Sequence, residues 1–173
     1  LFENDSVNHH GGGINIQYEG TKLNARHVVV SDNYADGEAG GISIGQGASI
    51  EMEDSRIVRN IGGNGGGVTS GVESPRVILR RTVIADNSAS NRGGGLNFSN
   101  NCVATIENCT IAGNYAPARG SGIHAKFGAS VEIISSIVWG NSGSDQVNIS
   151  ENGIGVAHYS NVSGVGYTGA HNI

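Results

Sequence analysis

Ile84-Ala85-Asp86-Asn87 and, after an intervening loop, Gly93-Gly94-Gly95-Leu96 form the stretch that decides how this 173-residue chain folds, because both pieces recur in step. The Asn returns at Asn33, Asn60, Asn87, Asn114 and Asn141, each 27 residues after the last. Three positions before each stands an apolar residue: Val30, Ile57, Ile84, Ile111, Val138. Ten positions before stand Leu23, Ile50, Val77, Ala104 and Val131, and two further on Ala25, Met52, Leu79, Ile106 and Ile133. The glycine run returns before Ile14, Ile42, Val68, Leu96 and Ile123, with steps of 28, 26, 28 and 27 that mark one elastic turn per repeat.

Each repeat therefore holds three short apolar-alternating stretches. Period two puts Ile50 and Met52 on one side of the chain and Glu51 and Glu53 on the other. Strands this short cannot bury an apolar side alone, but identical coils stacked in parallel register build a continuous core. The expected fold is all-β: a right-handed parallel β-helix of about six coils, three short strands per 27-residue coil, formed by residues 1–173 as a single domain. Leucine-rich and helical repeats need a leucine lattice or paired helices, and a β-sandwich would not keep columns at a constant interval.

Composition agrees. Gly is 29 of 173 residues, about 17 %, against roughly 7 % in average proteins, and suits tight turns. With only 2 Pro the chain does not read as a Pro/Gly-rich disordered linker. The net charge of −5 argues against nucleic acid as a partner, since phosphate binding needs a basic face. No apolar run approaches the roughly 20 residues of a membrane helix. The chain opens in mid-pattern at Leu1-Phe2-Glu3-Asn4, which suggests a piece of a longer secreted chain.

The columns carry further expectations. Arg26, Glu53, Arg80 and Glu107 alternate in sign up the axis, as do Asp32, Arg59 and Asp86, while His27, Asp54, Arg81 and Asn108 form a neighbouring polar column. Opposite charges on adjacent strands attract, so these columns support the register set by the apolar residues. The Asn33, Asn60, Asn87, Asn114 and Asn141 column reads as an inward structural ladder bonding turn backbone and the next Asn. Ser55, Thr82, Cys109 and Ser136 read as an inward stack of small residues rather than nucleophiles.

Catalytic signals are sparse. Cys102 and Cys109 are seven residues apart across an extended strand, too far for a disulfide unless the bend folds them together, and no CxxC or zinc pattern is present. His9-His10 do not read as a metal pair, and His124 and His158 read as lone surface or packing residues. The glycine runs lack the Gly-Lys-Ser/Thr of a phosphate loop. Thr69, Thr105 and Thr110 form no column of the kind that ice binding would want. The loops between each Asn and its glycine run are the candidate site. They bring Tyr34, Asp36, Glu38, Arg92, Tyr115 and Arg119 to one edge, where aromatic and polar groups together could hold a sugar chain. Uronide-lyase chemistry would need clustered acids for calcium and a basic residue. Asp36 and Glu38 lie two or three coils from Arg92 and Arg119, roughly 10–14 Å by coil spacing.

The pattern of Ile84-Ala85-Asp86-Asn87 and Gly93-Gly94-Gly95-Leu96 resembles right-handed β-helix repeat proteins of the pectate-lyase-like superfamily. It is nearest to bacterial surface proteins with polymorphic-outer-membrane-protein-like repeats, with Ile or Val where those carry Phe. Ser136-Ile137-Val138-Trp139-Gly140-Asn141, Tyr159-Ser160-Asn161-Val162 and Gly169-Ala170-His171-Asn172-Ile173 are similar to the last coils of large secreted β-helix proteins. The resemblance implies export and a place at the cell surface, and supplies no catalytic residue. The expected function is a non-catalytic extracellular or cell-surface module: a stalk, an adhesin segment or a carbohydrate-binding face. The alternative is a polysaccharide lyase or epimerase on uronide glycans. Partners would be a glycan, another surface component or a further copy stacked end to end. No cofactor or metal is expected, calcium being the one ion that the alternative would bring.

Overall fold

The computed structural model describes residues 1–7, 10–71 and 73–163. Asn8 and His9 of the first loop and the closing Gly169-Ala170-His171-Asn172-Ile173 lie outside the described residues. Every named strand pairing is parallel, and the chain winds as a β-solenoid of about six coils. Among the described residues no helix is long and apolar enough to cross a membrane.

Three sheets run the length of the solenoid. The long-strand sheet stacks Lys22–Arg26, Ser49–Glu53, Arg76–Arg80, Val103–Glu107, Ser130–Ile134 and Ile154–His158. The Asn-adjacent sheet includes Val29–Ser31, Arg56–Val58, Val83–Ala85, Thr110–Ala112 and Ile137–Trp139. The Gly-flanked sheet stacks Ile14–Ile16, Ile42–Ile44, Val68–Ser70, Leu96–Phe98, Ile123–Ala125 and Val147–Ile149. Register follows the sequence columns: Leu23 pairs with Ile50, Ile50 with Val77, Val77 with Ala104 and Ala104 with Val131. The inward residues of all three sheets, among them Ile50, Met52, Ile57, Ile84, Phe98 and Ile123, merge in one buried apolar cluster.

A fourth, shorter sheet adds to the three expected strands. Ser6–Val7, Tyr34–Ala35, Ile61–Asn64 and Ser88–Arg92 pair along the loop edge. Their side chains differ from coil to coil, but backbone groups bond whatever the side chain, and small inward residues (Ala35 and Ala89 are buried) let the edge close. The next coil carries Pro117, which has no N–H, and keeps only isolated bridges at Tyr115 and Arg119.

Two buried ladders hold the bends. Asn60 Oδ1 accepts from both the backbone N–H and Nδ2 of Asn33, at 3.1 and 2.9 Å. Asn87 serves Asn60 in the same way, Asn114 serves Asn87, and Asn141 serves Asn114. The second Nδ2 hydrogen goes to a strand carbonyl, as from Asn87 to Ile57 O at 2.9 Å. The glycine before each Gly-flanked strand belongs to the same device. A Cβ on Gly95 would sit 2.7 Å from Gly122 O and 3.1 Å from Asn114 Nδ2. At the opposite bend, Ser55, Thr82, Cys109, Ser136 and Ser160 each bond the carbonyl two residues back. Both thiols are free and buried, and burial pushes Cys102 up to about 12, so neither is poised as a nucleophile.

The sixth coil is shorter. Ile134 pairs with His158 and Val138 with Val162, a step of 24. Among the described residues no further Asn follows in register, and Gln146 from the shortened loop takes its place. Gln146 Oε1 accepts from Asn141 N and Nδ2, at 3.2 and 3.1 Å.

Candidate functional site

Outward side chains of a strand normally face water. On the Gly-flanked sheet the outward column is Asn15, Ser43, Thr69, Asn97, His124 and Asn148, and four of these, Ser43, Thr69, Asn97 and His124, are buried. The edge sheet and its loops rise beside them on one flank, carrying Glu38, Asn64, Asn91 and Arg92. The turn after the strands rises on the other, carrying Ser99, Asn100 and Lys126. Between the two flanks lies a polar groove of about 260 Å³ whose floor includes Thr69 and Asn97. Its floor residues are stacked coil on coil, so it runs along the solenoid axis.

The walls are held by hydrogen bonds. Asn91 Nδ2 donates to Asn64 Oδ1 at 3.0 Å, and the Thr69 hydroxyl donates to the Asn64 carbonyl. Ser43 Oγ donates to Glu38 Oε2 at 3.0 Å, and His10 Nδ1 lies 3.2 Å from the same carboxylate oxygen. The groove is polar in charge as well as in chemistry. Glu38 marks one end, and Arg92 and Lys126 mark the other.

His124 lies beneath the cationic end. Its Nδ1 is 2.9 Å from Asn97 Oδ1. A carboxamide oxygen only accepts, so Nδ1 carries the proton and Nε2 keeps its lone pair. Burial first, and then the charges of Arg92, Lys126 and Arg119, hold the imidazole down to about 4, so it is neutral at pH 7. Lys126 is also lowered, by burial and then by Arg92.

The structure divides the residues expected at the loop edge. Glu38 and Arg92 line the groove. Arg119 bridges Arg92 by its backbone and lies 3.9 Å from Glu151. Tyr34 and Tyr115 occupy one column of the edge, three coils apart, and both are exposed. The Tyr34 hydroxyl bonds Asp36, and none of Tyr34, Asp36 and Tyr115 is part of the groove lining. Sequence reasoning did not single out Asn64, Asn97 or Lys126, and it read Thr69 and His124 without placing them at a site. The signal available was the outward column itself, six polar residues in succession without a Lys, Arg, Asp or Glu.

Many of the remaining outward charges pair with each other. Arg80 bonds Glu51 and Glu107, Arg26 bonds Glu53, Arg81 Nε bonds Asp54 at 2.7 Å, and Arg59 grips Asp32 with two contacts. The arginine partners hold Glu53, Asp54 and Asp32 below the usual carboxylate range. Among the described residues no three His, Cys, Asp or Glu side chains gather where a metal ion could sit. In comparisons with known proteins, no family model, no curated protein and no solved structure matches this chain.

Proposed function

We propose that this chain is a non-catalytic β-helix module of an exported, cell-surface protein and that it binds a glycan along the axial groove. One observation carries the reading. Carboxamides, hydroxyls and cations from successive coils converge on one lengthwise groove, whereas most charges on the other outward faces pair among themselves. A linear ligand would meet a new set of polar side chains at each coil, about every 4.8 Å. The charge at one end favours an acidic segment there. The motif likeness to pectate-lyase-like β-helix proteins supports the surface location and stands on the repeat alone.

The test is binding of oligosaccharides to the whole chain by glycan array and calorimetry, beside a uronide elimination assay with calcium. Binding without turnover is expected, and Arg92→Ala or Lys126→Ala should weaken an acidic ligand about tenfold with the fold intact. A lyase or epimerase is the second reading, favoured by a neutral imidazole set among three cations. Turnover abolished by Arg92→Ala would establish it in place of the first.

A further inference from the structure

The Asn-adjacent sheet departs from the apolar-in, polar-out alternation of the long strands. Its strands Val83–Ala85 and Ile137–Trp139 are apolar on both sides. Ile84 and Val138 point into the core and are fully buried. On the outward side Ile137 and Trp139 are 47 % and 57 % exposed, and Val83 and Ala85 are half-buried. Strands apolar on both sides are the mark of a sheet covered on both sides. From Val29 to Trp139 the outward side chains of this sheet include one charge, Arg56.

Two rims border the face. Each strand is bracketed by two residues in the left-handed conformation, five positions apart. In two successive coils the brackets have opposite charges, and the order reverses from one to the next: Asp54 then Arg59, Arg81 then Asp86. Beside Thr110–Ala112 and Ile137–Trp139 the second bracket is Gly113 and Gly140, so no side chain there would hold off a molecule laid on Trp139. An apolar centre between polar rims is the anatomy of a protein interface.

The charges select the occupant. We propose that this face is the contact between two copies of the chain, lying side by side with their solenoids parallel and related by a two-fold axis along them. Such an axis permits no slip, so each coil meets the same coil of the other copy with its brackets exchanged. Arg59 then faces the other copy's Asp54, Asp86 faces its Arg81, and Ile137 faces its Trp139. Among the described residues neither Arg56 nor Asp86 has an ion-pair partner within the chain. In the dimer Arg56 lies one coil, about 4.8 Å, from the other copy's Asp86, within reach of its long side chain. A two-fold across the solenoid that still covered Trp139 would bring no opposite charges together, and one through the Val83–Ala85 coil would set Asp86 on Asp86, which repels. Five coils at about 4.8 Å and six residues from bracket to bracket at about 3.3 Å make a face of roughly 24 by 20 Å. That is small for a specific interface, so dissociation constants of tens of micromolar are expected. The contact lies on a different sheet from the groove and stands or falls apart from the glycan reading.

Trp139 is the single tryptophan, so its fluorescence reads this face alone. The experiment follows the whole chain from about 1 to 500 µM by sedimentation velocity and by acrylamide quenching. Monomer should give way to dimer, with Trp139 emission moving to the blue and quenching falling in step. Ile137→Glu should weaken the dimer at least about tenfold, with an unchanged thermal melt of the monomer because the side chain lies outside the core. Asp86→Lys should weaken it about tenfold in low salt and far less at 1 M salt. A monomer at every concentration overturns the proposal. A dimer in which Trp139 stays open to acrylamide, or which Ile137→Glu forms equally well, places the contact elsewhere and also overturns it. A dimer that covers Trp139 but ignores Asp86→Lys overturns the parallel two-fold. The concentration series on the native chain needs no variant to fold.

Discussion

At the bend that carries Asn60, Asn87 and Asn114, every side-chain polar group meets a partner supplied by the neighbouring coil. Across the Gly-flanked sheet, His124 bonds Asn97 on one side and has an orphaned nitrogen on the other. Both places bury polar side chains in columns a coil apart. The difference is repetition. Where each coil repeats the residue, the stack satisfies itself and closes to ligands. Where the column changes from Ser43 to Thr69 to Asn97 to His124, the bonds do not propagate, and unsatisfied groups remain for something else to meet. A solenoid thus separates its structural polar column from its candidate binding column by whether the residue is held constant.

The sharpest way to break this contrast is Asn87→Leu. It strips the Asn60 N–H and Nδ2 of their shared acceptor and leaves Ile57 O without its donor, all in the interior. At about 1–3 kcal/mol per orphaned group, the loss should be roughly 4 kcal/mol in urea unfolding. Glycan binding per folded molecule should not change. Retained stability would mean that the Asn column is packing and not bonding.

On the groove side, the matching experiment is pH. The folded chain holds His124 at about 4 against an ordinary 6.5. Between those values the unfolded chain binds a proton that the folded chain refuses, so stability is full above about pH 6.5 and falls as pH drops toward 4. At about 1.4 kcal/mol per pH unit the whole fall is roughly 3 kcal/mol. Asp32, Glu53 and Asp54 are held low by their arginines, so their contribution is lost only as pH falls below the usual carboxylate range. The difference between the native chain and His124→Gln, measured by urea unfolding at several pH values, isolates the imidazole. Equal slopes would place His124 in a wetter site than the groove floor.

The unequal legibility of the two columns in the sequence has the same origin. The Asn ladder, the apolar columns and the alternating charges could be read because each follows one rule at the coil interval: the same residue, the same apolar character, or the opposite charge. The edge sheet could not, since its pairing is backbone to backbone and its side chains are free to vary. The bends hide in a similar way. Asp54, Arg81, Asn108 and Ser135 stand in one column with φ between 45° and 53°, a left-handed turn that no shared residue type announces. Gln146 replaces an Asn of the next coil from within its own, which an interval rule cannot find. His124 looked solitary because its meaning lies in unlike neighbours, Asn97 below and Asn148 above.

A smaller effect tests whether the glycine run belongs to the ladder or only to the turn. Gly95→Ala places a methyl carbon 2.7 Å from Gly122 O and 3.1 Å from Asn114 Nδ2, so the next coil's backbone must shift and the Asn must give way with it. Overpacking of this kind costs about 1–3 kcal/mol. Gly20 is the control: an added Cβ there would meet no heavy atom within 4 Å, but φ is +80°. At that position the loss reflects backbone strain alone and should be about 1 kcal/mol. Equal losses at the two sites would remove the ladder from the explanation.

The smallest expected change is at Arg59, and it is informative through its contrast with Arg92. Arg59 contacts Asp32 twice, at 2.7 and 2.6 Å, but Arg59 is exposed and Asp32 only half-buried. Salt at 1 M shortens the screening distance to about 3 Å, so the attraction that Arg59→Ala removes should fade there. The urea midpoint of the variant should sit slightly below that of the native chain in low salt and rejoin it in high salt. Arg92→Ala should also leave the midpoint nearly unmoved, because Arg92 Nε has no partner to lose. Only Arg92→Ala should change sugar binding. An arginine satisfied by its neighbouring coil registers the stack, and an arginine left unsatisfied is available to a ligand. Loss of sugar binding in Arg59→Ala would show that charge anywhere on the surface suffices, and that the groove does not select.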